Sequence, residues 1–178
     1  MKAIILYSTA HGSTAVCANK IVKALDGQAQ LEDLKHFNGF DPDKYDFVII
    51  GTPIYGGSAL KEVKAFCNEN SAKLLQKPLA VFFSCLSENE KNIDGFLKQN
   101  FPPELVTHIS ICSALGGAFY FTKLNFIERL IDKALVKAYA KSAGIPTPDG
   151  KTDFVTISDE KITKFAEKIK AEGAANDF

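Results

Sequence analysis

The apolar positions along this chain fall into short continuous runs separated by stretches with helical spacing. Lys2 to Tyr7 is a run of the kind a strand buried on both faces shows. Ser8 to Thr14 is a loop of small polar residues around Gly12, and Ser13 to Leu25 carries Val16, Ile21, Val22 and Leu25 at roughly helical spacing. Gln28 to Leu34 alternates weakly and reads as an edge strand. Tyr45 to Ile50 is a second apolar strand, stopped by Gly51-Thr52-Pro53, with a helix from about Leu60 to Leu75. Pro78 opens a third strand, Leu79 to Phe83, ending at Ser84-Cys85. Residues 90–100 read as helix, Pro102-Pro103 as a break, and Val106 to Leu115 as another strand closed by Gly116-Gly117. Lys123 to Ala143 is a long amphipathic helix, and Gly144 to Gly150 a loop. Ser158 caps a last helix from about Asp159 to Ala171, with fraying after Gly173.

Strands alternating with helices predict a parallel sheet with helices on both faces. Five strands fit either a nucleotide-binding half or the order 2-1-3-4-5. Ligands of such sheets bind beyond the strand C-termini. The segments to inspect are therefore Ser8–Thr14, Gly51–Ser58, Ser84–Asn89 and Gly116–Phe121.

The length of 178 residues fits one domain. A content of 46% hydrophobic and 24% charged residues is ordinary for a soluble globular chain. The run from Ala3 to Tyr7 is too short for a secretory signal, and no apolar run is long enough to span a bilayer. Cys17, Cys67, Cys85 and Cys112 form neither a C-x-x-C pair nor a zinc pattern, so no metal site is expected and a reducing cytoplasm is the simplest setting. The 21 acidic and 21 basic residues balance. That disfavours nucleic acid as a partner, and equally a carrier steered by a strongly one-signed face.

The first loop offers hydroxyls at a helix N-terminus, where free N–H groups and the helix dipole attract a phosphate. It lacks G-x-x-x-x-G-K-[ST] and G-x-G-x-x-G, which excludes a P-loop and a dinucleotide fingerprint. The strand ends Ser8-Thr9 and Gly51-Thr52 carry no carboxylate, unlike phosphoacceptor receivers. The one arginine, Arg129, is far along the chain, so a phosphate here would be held by hydroxyls and backbone. A capped turn without a ligand is the alternative.

Two motifs together resemble the flavodoxin family: Tyr7-Ser8-Thr9-Ala10-His11-Gly12-Ser13-Thr14, and Tyr45 through Gly51-Thr52-Pro53-Ile54-Tyr55-Gly56-Gly57. The resemblance implies one α/β domain over 1–178, a flavodoxin-like three-layer α/β/α sandwich with a five-stranded parallel sheet in the order 2-1-3-4-5, carrying an extra segment at about 118–150. It also implies FMN as cofactor, with no catalytic side chain assigned because the chemistry is the cofactor's. Thr9, Ala10, His11, Gly12, Ser13 and Thr14 would wrap the FMN phosphate. Thr52, Pro53, Ile54, Tyr55, Gly56 and Gly57 would flank the isoalloxazine, with Tyr55 as the stacking ring. Ser84, Cys85, Leu86 and Ser87 would form the second wall. Family members commonly place an aromatic in that wall, whereas this chain has none between Ser84 and Asn92.

A narrower resemblance lies in Ala114 to Phe121, Phe126 to Ile131, Gly144 and Asp153 to Thr156, which are similar to the C-terminal region of menaquinone-dependent protoporphyrinogen dehydrogenases. It implies an oxidoreductase passing reducing equivalents from an organic substrate to a quinone. A flavodoxin-type one-electron carrier serving redox-protein partners is the alternative function. Arg129, Lys133, Lys137 and Lys141 form a basic stripe. The stretch 123–141 therefore reads either as a core helix with its lysines in water or as a peripheral contact with the inner face of a membrane.

Overall fold

The computed structural model describes residues 1–86, 90–123, 133–134, 136–141 and 147–175. Five strands build the main parallel sheet: β1 (Ala3–Tyr7), β2 (Ala29–Asp33), β3 (Phe47–Tyr55), β5 (Leu79–Ser84) and β6 (Ile111–Ala114). Their spatial order is β2-β1-β3-β5-β6, which is 2-1-3-4-5 when the parallel strands alone are counted. A two-residue strand, β4 (Ser58–Ala59), folds back antiparallel on the end of β3. A separate two-stranded antiparallel ribbon pairs β7 (Ala118–Phe119) with β8 (Phe154–Val155), strands far apart in sequence.

The alternation of side chains along each strand sorts the core into two faces. Ala3, Ile5, Phe47, Ile49, Ala80 and Phe82 point to one face and pack with Cys17, Ile21, Phe165 and Ile169. Those four residues belong to α1 (Ser13–Ala24) and α6 (Asp159–Ala175). Ile4, Leu6, Val48, Ile50, Val81 and Phe83 point to the other face. That face is covered by α2 (Lys61–Glu69), α3 (Ser71–Leu74), α4 (Glu90–Asn100) and α5 (Pro103–His108). Both faces of β1, β3 and β5 are covered, which is why their sequences read as continuous apolar runs.

Four boundaries differ from the sequence reading. β3 does not stop at Gly51 but runs on through Thr52 and Pro53 to Tyr55. Its pairing with β1 ends at Tyr7–Gly51, so Pro53 lies beyond that neighbour, where a residue without an N–H is tolerated. The helix expected over 60–75 divides at Asn70, whose side-chain amide donates to the Phe66 carbonyl at 3.1 Å and competes with the backbone ladder. The strand expected over 106–115 is reduced to Ile111–Ala114, because Pro103 at the first helical position starts α5 and carries Val106 and His108 into a helix. The last helix reaches Ala175 instead of ending near Ala171, with Gly173 packed closely against the Met1 side chain. The predicted cap holds: Lys161 N donates to Ser158 Oγ at 3.2 Å.

Most of the expected 123–143 helix, with Arg129 of its basic stripe, lies outside the described residues. Residues 136–141 are helical. Lys137 and Lys141 are exposed, while the Lys133 side chain runs against Gly150. Among the described residues no helix is long and apolar enough to cross a membrane, and no cluster of His, Cys, Asp and Glu could hold a metal.

Candidate functional site

Three loops at the C-terminal ends of β1, β3 and β5 meet, and β7 joins them. They enclose a cleft of about 240 Å³ lined by His11, Ser13, Ile54, Tyr55, Gly56, Gly57, Ser84, Cys85 and Leu86, together with Phe96, Gly117, Ala118 and Phe119. A second cavity of about 570 Å³ opens beside β6 and α6, among Lys161, Lys164 and Lys168. Volume does not decide between them. The smaller cleft sits at the switch point of the sheet, between β1 and β3, where the first helix begins. The larger cavity lies along the sheet edge beside β6, away from the switch point.

The first loop turns onto α1 through Gly12, which caps the helix in a left-handed conformation. Gly12 N donates to Thr9 Oγ1 at 2.9 Å, fixing the loop on itself. Ser8 Oγ and Thr14 Oγ1 are fully buried, and neither has a hydrogen-bond partner among the described residues. Desolvating a hydroxyl without a partner costs about 1–3 kcal/mol. Two such groups beside the free N–H groups of a helix N-terminus mark a place built for an acceptor. The Lys35 ammonium donates to the Thr9 carbonyl and brings a positive charge to the rim of this loop.

The second loop is a two-residue turn between Tyr55 and Ser58. Gly56 and Gly57 both have positive φ, 56° and 84°, the pairing that a tight hairpin of this hand requires. Asn100, at the end of α4, holds this turn from below. Its amide donates to the Gly57 carbonyl at 2.8 Å, and its side-chain carbonyl accepts from Ala59 N at 2.8 Å. Tyr55 is thereby presented at the mouth of the cleft, 37% exposed, with the His11 ring edge-on at 6.1 Å.

The third loop leaves β5 through Ser84, whose hydroxyl donates to Ser13 Oγ at 2.7 Å and ties it to the start of α1. Cys85 is buried beside Leu86. Cys17, Cys67 and Cys112 lie elsewhere, and burial pushes each of their thiols up to about 12.

The structure thus brings nine of the predicted site residues into one cleft. Thr9, Ala10, Gly12 and Thr14 stand on the adjoining loop at the α1 N-terminus. Thr52 and Pro53 are buried in β3, and Thr52 Oγ1 accepts from Leu60 N at 3.2 Å, so that hydroxyl serves the fold and does not reach the cleft. Ser87 lies outside the described residues. Phe96 and Lys35 carried no local signal. Gly117 to Phe119 fell in a segment singled out by its position after the last strand and by the narrower resemblance over Ala114 to Phe121.

The family model described as a flavodoxin domain matches residues 4–143. No curated protein matches the sequence significantly. Among solved structures, a short-chain flavodoxin associated with a non-canonical PDU bacterial microcompartment aligns at TM-score 0.58 with 15% identity, covering 97% of this chain and 99% of that one. A Streptococcus pneumonia TIGR4 flavodoxin aligns at 0.56 with 16% identity and the same coverage. Rubredoxin oxygen:oxidoreductase from Desulfovibrio gigas aligns at 0.51 with 13% identity over 98% of this chain, which spans 36% of that protein. At these identities the three structures speak for the fold alone.

Proposed function

Because this chain belongs to the flavodoxin domain family, we propose that it is an FMN-dependent oxidoreductase that passes reducing equivalents from an organic substrate to a quinone. The observation that carries the cofactor assignment is the pair of buried, unpartnered hydroxyls, Ser8 Oγ and Thr14 Oγ1, at the start of α1. A phosphate monoester supplies the acceptors they lack, and the helix N-terminus and Lys35 add favourable charge. The adjoining cleft, apolar and edged by Tyr55, fits a flat ring. Bound FMN supplies hydride and single-electron chemistry at its ring system.

The protein's own residues position and shield. Ser13 and Ser84, bonded to each other, hold two walls in register. The Gly56-Gly57 turn presents backbone groups at the cleft, and Asn100 keeps that turn in one orientation. Leu86, Phe96 and Phe119 line it with apolar surface that displaces water. This largely apolar lining supports a small organic partner, a reduced tetrapyrrole of the protoporphyrinogen type or a quinone. The half-exposed Tyr55 supports the second reading, a one-electron carrier that meets redox proteins at the cleft mouth.

The two readings separate in one experiment. The FMN-loaded protein is reduced anaerobically and mixed with a soluble menaquinone analogue while the oxidised flavin absorbance is followed. Reoxidation at about 1 s⁻¹ or faster is the expected outcome for the enzyme. Reoxidation much slower than that rejects quinone turnover and leaves the carrier.

A further inference from the structure

We propose that β7, held by its pairing with β8, is a working wall of the cleft, and that Phe119 contacts the planar heteroaromatic ring bound there. The inference rests on the reading of the cleft as an FMN site and assigns to it a residue from outside the three strand-end loops. Phe119 lines the cleft with Ala118 and Gly117. Directly behind it the Phe121 ring stacks at 6.2 Å between centroids and 20° between planes, and Phe121 is fully buried. Val136, 1% exposed, and Phe154 complete a small apolar cluster that joins neither sheet-face core. Tyr139 backs Phe154 at 6.1 Å.

An antiparallel pair of two residues per strand has no stability of its own. This one is held by tethers. Thr156 N donates to the Gly117 carbonyl at 2.8 Å, and Gly117 N donates to Thr156 Oγ1 at 3.1 Å. Ser158 N donates to the Leu115 carbonyl at 3.0 Å. Thr122 donates through both its N–H and its hydroxyl to the Asp153 carboxylate. Gly117 lies directly on the β5-end loop, where an added Cβ would stand 3.4 Å from the Cys85 carbonyl carbon. The cluster and the tethers therefore fix one aromatic side chain at the side of the cleft formed by the β5-end loop, in a cavity edged elsewhere by Tyr55.

A contact to the ring predicts a specific pattern of affinity. FMN and riboflavin share the ring and differ in the phosphate, so losing Phe119 weakens both by the same factor. The measurement is a titration of apoprotein with each flavin, followed by quenching of flavin fluorescence. Stacking of a ring on an aromatic side chain contributes about 1–3 kcal/mol. Phe119→Ala is therefore expected to raise both dissociation constants about tenfold or more. Phe119→Tyr restores them to within about threefold. Val155→Ala, on the pairing strand β8 but exposed and outside the cleft, leaves them unchanged. Circular dichroism checks folding; should the alanine variant not fold, Phe119→Leu, which keeps most of the volume and removes the ring, takes its place. Unchanged affinities in the Phe119 variant, or an equal loss in Val155→Ala, overturn the inference. Failure of the unsubstituted protein to bind FMN at all overturns the reading of the cleft itself.

Discussion

Thr14 and Ser8 hold the sharpest tension in the molecule. Each buries a hydroxyl at the head of α1 without giving it a partner. In the ligand-free fold such a group is a cost; against a bound phosphate it becomes a donor. Thr14→Val keeps the shape and removes the hydroxyl. It is expected to leave the apoprotein's melting temperature equal or higher while raising the FMN dissociation constant about tenfold. Riboflavin, lacking the phosphate, should bind the variant as it binds the parent. Thermal unfolding and the two titrations read this out, and an unchanged FMN affinity removes Thr14 from the phosphate site. The residues around it were legible in sequence because small polar side chains before a helix have few other uses. Tyr55 was named through the resemblance to the flavodoxin family, and the Gly56-Gly57 turn is what presents it. Lys35 was not: a lysine after an edge strand looks like any solvent-facing lysine, and only the curl of β2 past the first loop brings it to Thr9.

At the level of elements, the turn after β3 and the β7–β8 pair after β6 solve the same problem in different ways. Both must hold a short irregular backbone at the cleft. The first uses two glycines and a buried amide. The second uses Gly116, whose φ of +88° and closeness to the Thr156 carbonyl, 2.0 Å from an added Cβ, admit no side chain. Gly116→Ala is expected to destabilise the protein by about 1–3 kcal/mol from backbone strain alone, more with the clash, and to loosen flavin binding in parallel. A urea-midpoint shift without any change in flavin affinity separates the β7–β8 pair from the site. The strands were readable because burial on both faces leaves uninterrupted apolar runs. Val106-Thr107-His108 misled because a β-branched run beside Ile109 looks like a strand, whereas Pro103 had already set a helical turn. Phe96 escaped for a different reason: its role depends on how separate elements pack, and no local period records that, whereas Phe119 lay in the stretch that the narrower resemblance singled out.

Across the whole molecule, the boundary of the family match does not mark a boundary of the fold. The match ends at residue 143, yet Ile162, Phe165, Ala166 and Ile169 of α6 fill the same sheet face as α1. The core also stores a pH dependence. Cys17, Cys67 and Cys112 have thiols raised from 9.0 to about 12, chiefly by burial. A raised acid is neutral in the fold and ionises more readily in the unfolded chain, so this stability is complete below about pH 9 and declines as pH rises from there towards 12. Urea midpoints at pH 7, 9 and 10.5 should fall across the upper interval. Cys67→Ala, which removes one such group, should make that fall shallower; an unchanged slope refutes the assignment.

Asn100 has one more consequence. It ends the helix that carries Phe96, and it grips the turn that carries Tyr55. Two sides of the cleft are therefore hinged on a single rod. Their motions are expected to be coupled through these two hydrogen bonds, since a tilt of α4 moves the amide that holds the turn. Escape of a bound ring then awaits one concerted opening, so residence time, more than the rate of capture, is what this lever governs.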